Sequence, residues 1–308
     1  MTRVAAIDCG TNSIRLLIAE TKPDNGLVEL DRRTEIVRLG QGVDATGEFH
    51  PDALQRTFAA TESYAELIKN AGVPRDKVHF VATSASRDAK NRDEYFEGIR
   101  RRLGVLPDVI SGDAEARLSF IGALRGVQPE GDPVLVMDIG GGSTEFIVGS
   151  SDGTMQSAIS LDIGSVRLTE RFLKKSPPAQ DDLGRAANYV DGMLRESGID
   201  FDSIGTWFGV GGSATTLGGV YLELEHYDRA RVHGSRIPIQ GAGSLLRRLS
   251  SLTVDQIRAL PSMHPGRADV ITGGALIVAR VGERLHVPHL IISETDILDG
   301  IALDLLER

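Results

Sequence analysis

The sequence has a single cysteine, Cys9, among its 308 residues. One cysteine excludes an intrachain disulfide and is typical of a reducing compartment, so the expected location is the cytoplasm. The sequence also lacks an excess of positive charge, since its net charge is −9 and its pI is about 5.3. Nucleic-acid-binding domains and polybasic membrane binders are usually strongly basic. We therefore expect no nucleic-acid partner and no membrane partner.

Long hydrophobic runs are absent as well. The longest uncharged run, residues 203–222, contains six glycines, which predicts strand, loop and helix rather than a membrane span. The sequence contains no G-x-x-x-x-G-K-[ST], no H-E-x-x-H and no G-x-S-x-G motif. The sequence therefore lacks the usual signatures of P-loop nucleotide hydrolases, zinc peptidases and serine hydrolases.

Glycine is the residue in excess, with 35 of 308 residues, above the usual fraction of about 7 %. Three glycine segments each follow an apolar run. They read D-C-G-T-N-S at 8–13, D-I-G-G-G-S-T at 138–144 and G-V-G-G-S-A-T-T-L-G-G at 209–219. Glycine has no Cβ, so backbone N–H groups can converge on an anion. One such segment would be interpreted as an ordinary turn, but two copies after matching apolar runs favour phosphate-binding loops over flexible linkers.

The first two glycine segments share one context. An apolar run ending in Asp precedes each turn and a second apolar run follows, which predicts a β-hairpin. This long repeat predicts two similar domains facing each other across a cleft, at 1–127 and 128–308, with the terminal helix able to pack back on the first. Further strands are predicted at 35–40, 78–84, 107–110, 154–161, 204–210 and 289–293, and helices at 50–71, 91–103, 113–125, 165–174, 180–197, 213–222 and 265–281.

The third glycine segment leaves its interpretation open. Gly209-x-Gly211-x-x-Ala214 matches the dinucleotide-binding fingerprint after a predicted strand. No second strand ending in an acidic residue follows at the required distance, so the match is weak. A helix N-terminus that holds an anion and a close helix–strand contact explain the glycines about equally well.

Seven segments, in order along the chain, resemble motifs of the exopolyphosphatase/guanosine pentaphosphate phosphohydrolase (Ppx/GppA) family. They are residues 8–16, 82–89, 111–118, 138–145, 164–167, 209–215 and 265–269. The resemblance implies the α/β fold of the actin/sugar-kinase/Hsp70 superfamily, in which two ribonuclease-H-like lobes surround a central cleft. Longer members add a C-terminal helical region, so the resemblance implies the short, two-domain form.

The resemblance also implies roles for individual residues. Glu115 is implied to be the general base that aligns or deprotonates the attacking water. Without the resemblance it would be interpreted as an acid that stabilises a helix N-terminus. The implied ligands of Mg²⁺, or of another divalent cation, are Asp8, Asp138 and Glu145. The implied substrate contacts are Gly10, Thr11, Asn12, Ser13, Arg15, Arg87, Gly140, Gly141, Gly142, Ser143, Thr144, Gly211, Ser213 and Arg267.

Two positions depart from the family pattern. Ala114 stands where many members have a second acid, so Glu115 alone carries the general-base assignment. The closing segment 293–300 lacks the Gly-Leu-Arg that is typical there, which removes a cation from that segment.

The expected activity is Mg²⁺-dependent exopolyphosphatase action, which releases orthophosphate from the ends of inorganic polyphosphate. Such hydrolysis requires held phosphates, neutralised charge and an aligned water. Hydrolysis of guanosine pentaphosphate is the alternative, with guanosine polyphosphates as partners. A kinase or a non-catalytic sensor of the same superfamily remains a further alternative, although a water-activating Glu115 favours a hydrolase. Family members often dimerise, so a homodimer is expected.

Overall fold

The computed structural model describes residues 2–21, 27–83, 86–87 and 89–307. Ser84, Ala85 and Asp88, from the family-like segment 82–89, lie outside the described residues. The chain forms two compact units, residues 1–122 with 297–308 and residues 123–296, called here the first and second unit. The sequence suggested one boundary after residue 127. The structure divides the chain slightly earlier and assigns the last helix to the first unit.

The first unit is built on a mixed five-stranded sheet. Its elements, apart from the C-terminal helix, are β1 Arg3–Cys9, β2 Ser13–Thr21, β3 Leu27–Ile36, α1 Val43–Thr46, α2 Pro51–Asn70, β4 Val78–Ala82, α3 Arg92–Leu103, β5 Asp108–Val109 and α4 Gly112–Ala123. The strand order is β3-β2-β1-β4-β5. Strands β1, β2 and β3 form an antiparallel meander, and β4 and β5 continue the sheet in parallel with β1.

The second unit is built on a mixed six-stranded sheet. Its elements are β6 Val134–Ile139, β7 Thr144–Gly149, β8 Met155–Leu161, α5 Ser165–Arg171, α6 Gln180–Glu196, β9 Thr206–Val210, α7 Gly211–Tyr221, α8 Arg229–Val232, β10 Arg236–Pro238, α9 Ile239–Ser250, α10 Val254–Arg258, α11 Ile271–Gly282 and β11 His289–Ile292. The strand order is β10-β11-β9-β6-β7-β8. The chain then returns to the first unit as α12, Ile297–Glu307.

The two sheets repeat one topology. Read from its other edge, the second sheet begins β8-β7-β6-β9-β11, and every pairing has the same sense as its counterpart in the first sheet. An antiparallel meander of three strands continued by two parallel strands is the ribonuclease-H-like arrangement. Strand β10 extends the second sheet by pairing antiparallel with β11. The internal repeat and the α/β fold class expected from the sequence are therefore confirmed.

The apolar pattern of the central strands explains the layers. Strand β1 is buried along all but its first residue and β6 along its whole length, as is typical of strands covered on both faces. Alternate residues of β1 contribute to different clusters. Ile7 belongs to the cluster of Leu54 in α2, whereas Ala6 belongs to the cluster of Ile301 in α12. The terminal helix therefore covers one face of the first sheet.

Two predicted elements differ in position from the structure, and some elements were not predicted. The strand predicted at 35–40 is wrong in position, because β3 ends at Ile36; its charged sequence on an exposed sheet edge hid it from an apolar pattern. The helix predicted at 265–281 begins only at Ile271, since Pro265–Arg267 forms a separate 3₁₀ turn. Helix α9 is among the elements that were not predicted, although Ala242, Leu245 and Leu249 are buried along it at helical spacing. None of the described helices is long and apolar enough to cross a membrane.

Candidate active site

The first glycine segment forms the tight turn between β1 and β2. The N–H of Gly10 donates to the carbonyl of Ser13 at 3.0 Å and closes the turn. The carbonyl of Asn12 accepts from the N–H groups of Val37 and Arg38, at 3.0 and 2.9 Å. The turn is thus held by the segment that follows β3.

Cys9 lies at the start of this turn and is 1 % exposed. Burial raises the pKa of its thiol to about 12, so the thiol is protonated at neutral pH. A protonated, buried thiol is a poor nucleophile. Cys9 is therefore a small buried residue of the first unit's core.

Asp8 and Arg15 form an ion pair across β1 and β2. The two residues are directly opposite in the antiparallel register, and the Nε and Nη2 atoms of Arg15 donate to Oδ2 of Asp8 at 2.9 and 2.6 Å. The side chains are only 6 % and 14 % exposed. The structure therefore brings together one predicted metal ligand and one predicted phosphate contact, and Arg15 compensates the charge of Asp8.

Arg87 and Glu115 form a second ion pair in the first unit. The Nη1 atom of Arg87 lies 3.2 Å from Oε2 of Glu115 and also donates to the carbonyl of Ile110 at 3.0 Å. Glu115 lies in the first turn of α4, where the hydroxyl of Ser111 accepts from the N–H of Ala114 at 3.2 Å. The predicted general base and a predicted phosphate-binding cation are thus in contact, although they come from separate segments.

The second glycine segment repeats the first turn. The N–H of Gly140 donates to the carbonyl of Ser143 at 3.0 Å, as Gly10 and Ser13 do in the first unit. Among the described residues, the N–H groups of Gly141, Gly142 and Ser143 have no acceptor. Backbone donors of this kind form concave sites that bind anions, so this turn is suited to phosphate oxygens.

The carbonyls of the second turn are held by the start of α5. The N–H groups of Val166 and Arg167 donate to the carbonyl of Gly141 at 2.9 and 3.1 Å, and Arg167 Nε donates to the carbonyl of Gly142 at 2.6 Å. A Cβ on Gly164 would lie 2.2 Å from the Gly141 oxygen, so only glycine fits there. The backbone donors at this helix start are therefore used to orient the turn.

Two predicted metal ligands lie side by side in the second unit. Asp138 on β6 is directly opposite Glu145 on β7, and the two carboxylates are 9 % and 2 % exposed. Oε1 of Glu145 accepts from the hydroxyls of Ser143 and Ser160, both at 2.7 Å. Adjacent like charges on facing strands are destabilising, and a divalent cation would remove that cost.

The donor set of the second unit fits Mg²⁺. Mg²⁺ prefers oxygen ligands, keeps several waters and is usually bound through one or two carboxylates together with substrate phosphates. Asp138 and Glu145 supply two such carboxylates next to the glycine turn. Within the described part of the chain, no three His, Cys, Asp or Glu side chains form a group that could hold a metal ion.

The third glycine segment packs against the side chains of Asp138 and Arg267. Gly211 begins α7 with a φ of +78°, and a Cβ there would lie 2.4 Å from Oδ1 of Asp138. A Cβ on Gly212 would lie 2.0–2.2 Å from the guanidinium of Arg267. Ser213 is 3 % exposed. The glycines thus serve close packing, and they bring Asp138 and Arg267 to the start of one helix.

Two predicted phosphate contacts use their hydroxyl protons within the protein. Ser143 donates to Glu145, and Thr144 donates to the carbonyl of Ile163. Thr144 is fully buried. A hydroxyl has one proton, so in this arrangement neither side chain donates to a phosphate oxygen. A direct substrate contact by these two residues stays a prediction.

Sequence reasoning missed two groups of polar residues. Ser160 lies in no motif, and an exposed serine on an edge strand is common, so nothing in the sequence distinguished it. Tyr227 and Arg229 both contact the carboxylate of Glu294, and burial raises the pKa of that carboxyl above its usual range. The signal available for Glu294 was the departure of segment 293–300 from the family pattern.

Comparisons with known proteins identify similar chains over almost the whole length. A model of the Ppx/GppA phosphatase family matches residues 17–308. Exopolyphosphatase 2 of Mycobacterium tuberculosis is 45 % identical over 99 % of both chains. A Ppx/GppA family member from Aquifex aeolicus has a crystal structure that is similar with a TM-score of 0.83 and 31 % identity, over 99 % of this chain and 98 % of that one. An exopolyphosphatase from Cytophaga hutchinsonii is similar with a TM-score of 0.91 and 26 % identity, with the same coverage.

Proposed function

Since the chain belongs to the Ppx/GppA phosphatase family, we propose that it is an exopolyphosphatase, which hydrolyses the terminal phosphoanhydride bond of inorganic polyphosphate. The contact between Arg87 and Glu115 carries the proposal. It joins a cation that suits a terminal phosphate to a carboxylate that suits proton transfer from water. A sensor needs no such base, and a kinase must keep water away from its phosphoryl donor.

The proposed chemistry assigns a task to each group. Glu115 accepts a proton from the water whose oxygen attacks the terminal phosphorus, while Arg87 binds oxygens of that phosphate. The bond from phosphorus to the bridging oxygen breaks, and orthophosphate and a chain shorter by one phosphate leave. In the second unit, the N–H groups of Gly141 and Gly142 bind phosphate oxygens. Asp138 and Glu145 would hold Mg²⁺, which when bound neutralises phosphate charge.

A release assay tests the proposed function. Orthophosphate would be measured with polyphosphates of several lengths, guanosine pentaphosphate and ATP, each with Mg²⁺ and with EDTA. We expect release from polyphosphate that requires the divalent cation. Release only from guanosine pentaphosphate would support the alternative phosphohydrolase activity. Absence of release from every substrate would contradict a hydrolase.

We also propose that the protein is a cytoplasmic homodimer. The lone buried cysteine suits a reducing compartment, and the dimer rests on the family resemblance. Light scattering coupled to size-exclusion chromatography tests the dimer, since a mass near 33.1 kDa across the working concentration range would identify a monomer.

A further inference from the structure

The carboxylate of Glu145 is held by two serine hydroxyls. Ser143 Oγ and Ser160 Oγ each donate to Oε1 at 2.7 Å. Glu145 is 2 % exposed, so its side chain sits in a confined environment. Two donors on one oxygen restrain the carboxylate, and hydrogen bonds to an ionised acceptor are stronger than hydrogen bonds between two neutral groups.

The two hydroxyls reach Glu145 from different elements. Ser143 is in the glycine turn itself, so its position depends on the conformation of that turn. Ser160 is on β8, directly opposite Glu145 in the antiparallel register, and its position depends only on the sheet. Asp138, Glu145 and Ser160 therefore form a row across β6, β7 and β8 on one face of the sheet.

The first unit contains the equivalent row with different chemistry. Asp8, Arg15 and Thr34 are directly opposite one another across β1, β2 and β3. There, the guanidinium of Arg15 compensates the acid of the first strand. In the second unit the middle position is a carboxylate, so the row has two acids and needs a hydroxyl donor to hold the second one.

We propose that Ser160 is a positioning residue for Glu145 and that it sets the affinity of the second unit for a divalent cation. Ser160 acts through the carboxylate and does not contact the substrate. The proposal rests on the proposed function, because it takes Glu145 as a ligand of the catalytic cation. Hydrogen-bond donors behind a metal ligand typically change metal affinity by about 10–100-fold.

Binding of Mn²⁺ to the full chain without substrate tests this role. Titration followed by electron paramagnetic resonance measures Kd for wild type and for Ser160→Ala, Ser160→Thr and Ser157→Ala. Ser157 is an exposed serine on the same strand and is the matched control. We expect Kd to rise about tenfold or more in Ser160→Ala, to recover in Ser160→Thr because threonine keeps the hydroxyl, and to stay at the wild-type value in Ser157→Ala.

Activity adds a second readout. The Mg²⁺ concentration for half-maximal orthophosphate release should rise in Ser160→Ala by the same factor as Kd, while kcat at saturating Mg²⁺ stays close to wild type. Unchanged Mn²⁺ affinity in Ser160→Ala, with an active wild type, overturns the role of Ser160 and leaves the proposed function standing. A wild type that neither binds Mn²⁺ nor releases orthophosphate overturns both. If Ser160→Ala weakened binding through a general loss of folding, its melting temperature would fall, and Ser160→Thr would not restore the wild-type Kd.

Discussion

Among single residues, Glu115 carries the proposed chemistry. Its carboxylate contacts Arg87, and an amide at this position cannot accept a proton from water. In Glu115→Gln we therefore expect kcat for orthophosphate release to fall by about 10²–10⁴-fold, with a much smaller change in KM. Glu97→Gln changes an exposed glutamate and should keep wild-type turnover. Wild-type turnover in Glu115→Gln would remove this residue from the base role.

The ion pair of Asp8 and Arg15 gives a second test at residue scale. Both side chains are largely buried, and removing one partner of such a pair leaves an uncompensated charge. We expect Asp8→Asn to lower the free energy of unfolding by about 3 kcal/mol, measured by urea denaturation in metal-free buffer. Unchanged stability combined with weaker Mn²⁺ binding would instead support Asp8 as a metal ligand.

At the scale of elements, Asp191 joins helices α6 and α11. Its carboxylate accepts from Arg280 at 2.6 and 3.0 Å and from Arg284 at 3.3 Å. Burial by itself raises the pKa of Asp191, but the hydrogen bonds and charge of the two arginines outweigh burial and hold the pKa below the usual 3.8. The ion pairs therefore favour the folded state while Asp191 is charged.

The pH dependence of this link follows from the lowered pKa. The stabilisation is fully present above the unfolded-state pKa near 3.8 and is lost as pH falls through the lower folded-state pKa. Asp191→Asn should lower the free energy of unfolding at pH 7 by about 1–2 kcal/mol, because the pair is partly exposed, and the difference from wild type should shrink below pH 3.8. Glu223→Gln, in an exposed pair with Arg248, should change stability by less than about 1 kcal/mol. A difference independent of pH would contradict the ionic origin.

At the scale of the whole molecule, each unit has its own core, and α12 completes that of the first. Ile301 is fully buried against β1 and β2. Ile301→Ala should cost about 2–5 kcal/mol through lost burial and the cavity left behind. Trp207 is the single tryptophan and is buried in the second unit, so its fluorescence reports that unit. In Ile301→Ala, we expect the urea midpoint measured by circular dichroism, which reports both units, to fall more than the urea midpoint measured by Trp207 fluorescence. Equal shifts would show that the two units unfold together.

Elements with a clear local pattern were predictable. The helix expected at 50–71 is Pro51–Asn70, because Pro51 suits a first helical position and Gly72, with a φ of +68°, suits the residue just past the end. Strand β3 was misplaced because a charged edge strand has no apolar side to alternate with a polar one. Local pattern therefore failed where solvent, and not a core, surrounds the element.

The repeated hairpins, the three glycine segments and the family of the chain were readable from the sequence, because they depend on residues close together in the chain. The contacts of Arg15 with Asp8, of Arg87 with Glu115 and of Ser160 with Glu145 are seen only in the folded chain. Such contacts depend on the register of neighbouring strands and on helix packing, which no short stretch of sequence encodes. The charge of each predicted ligand was readable from the sequence; the partner that balances or orients it was not.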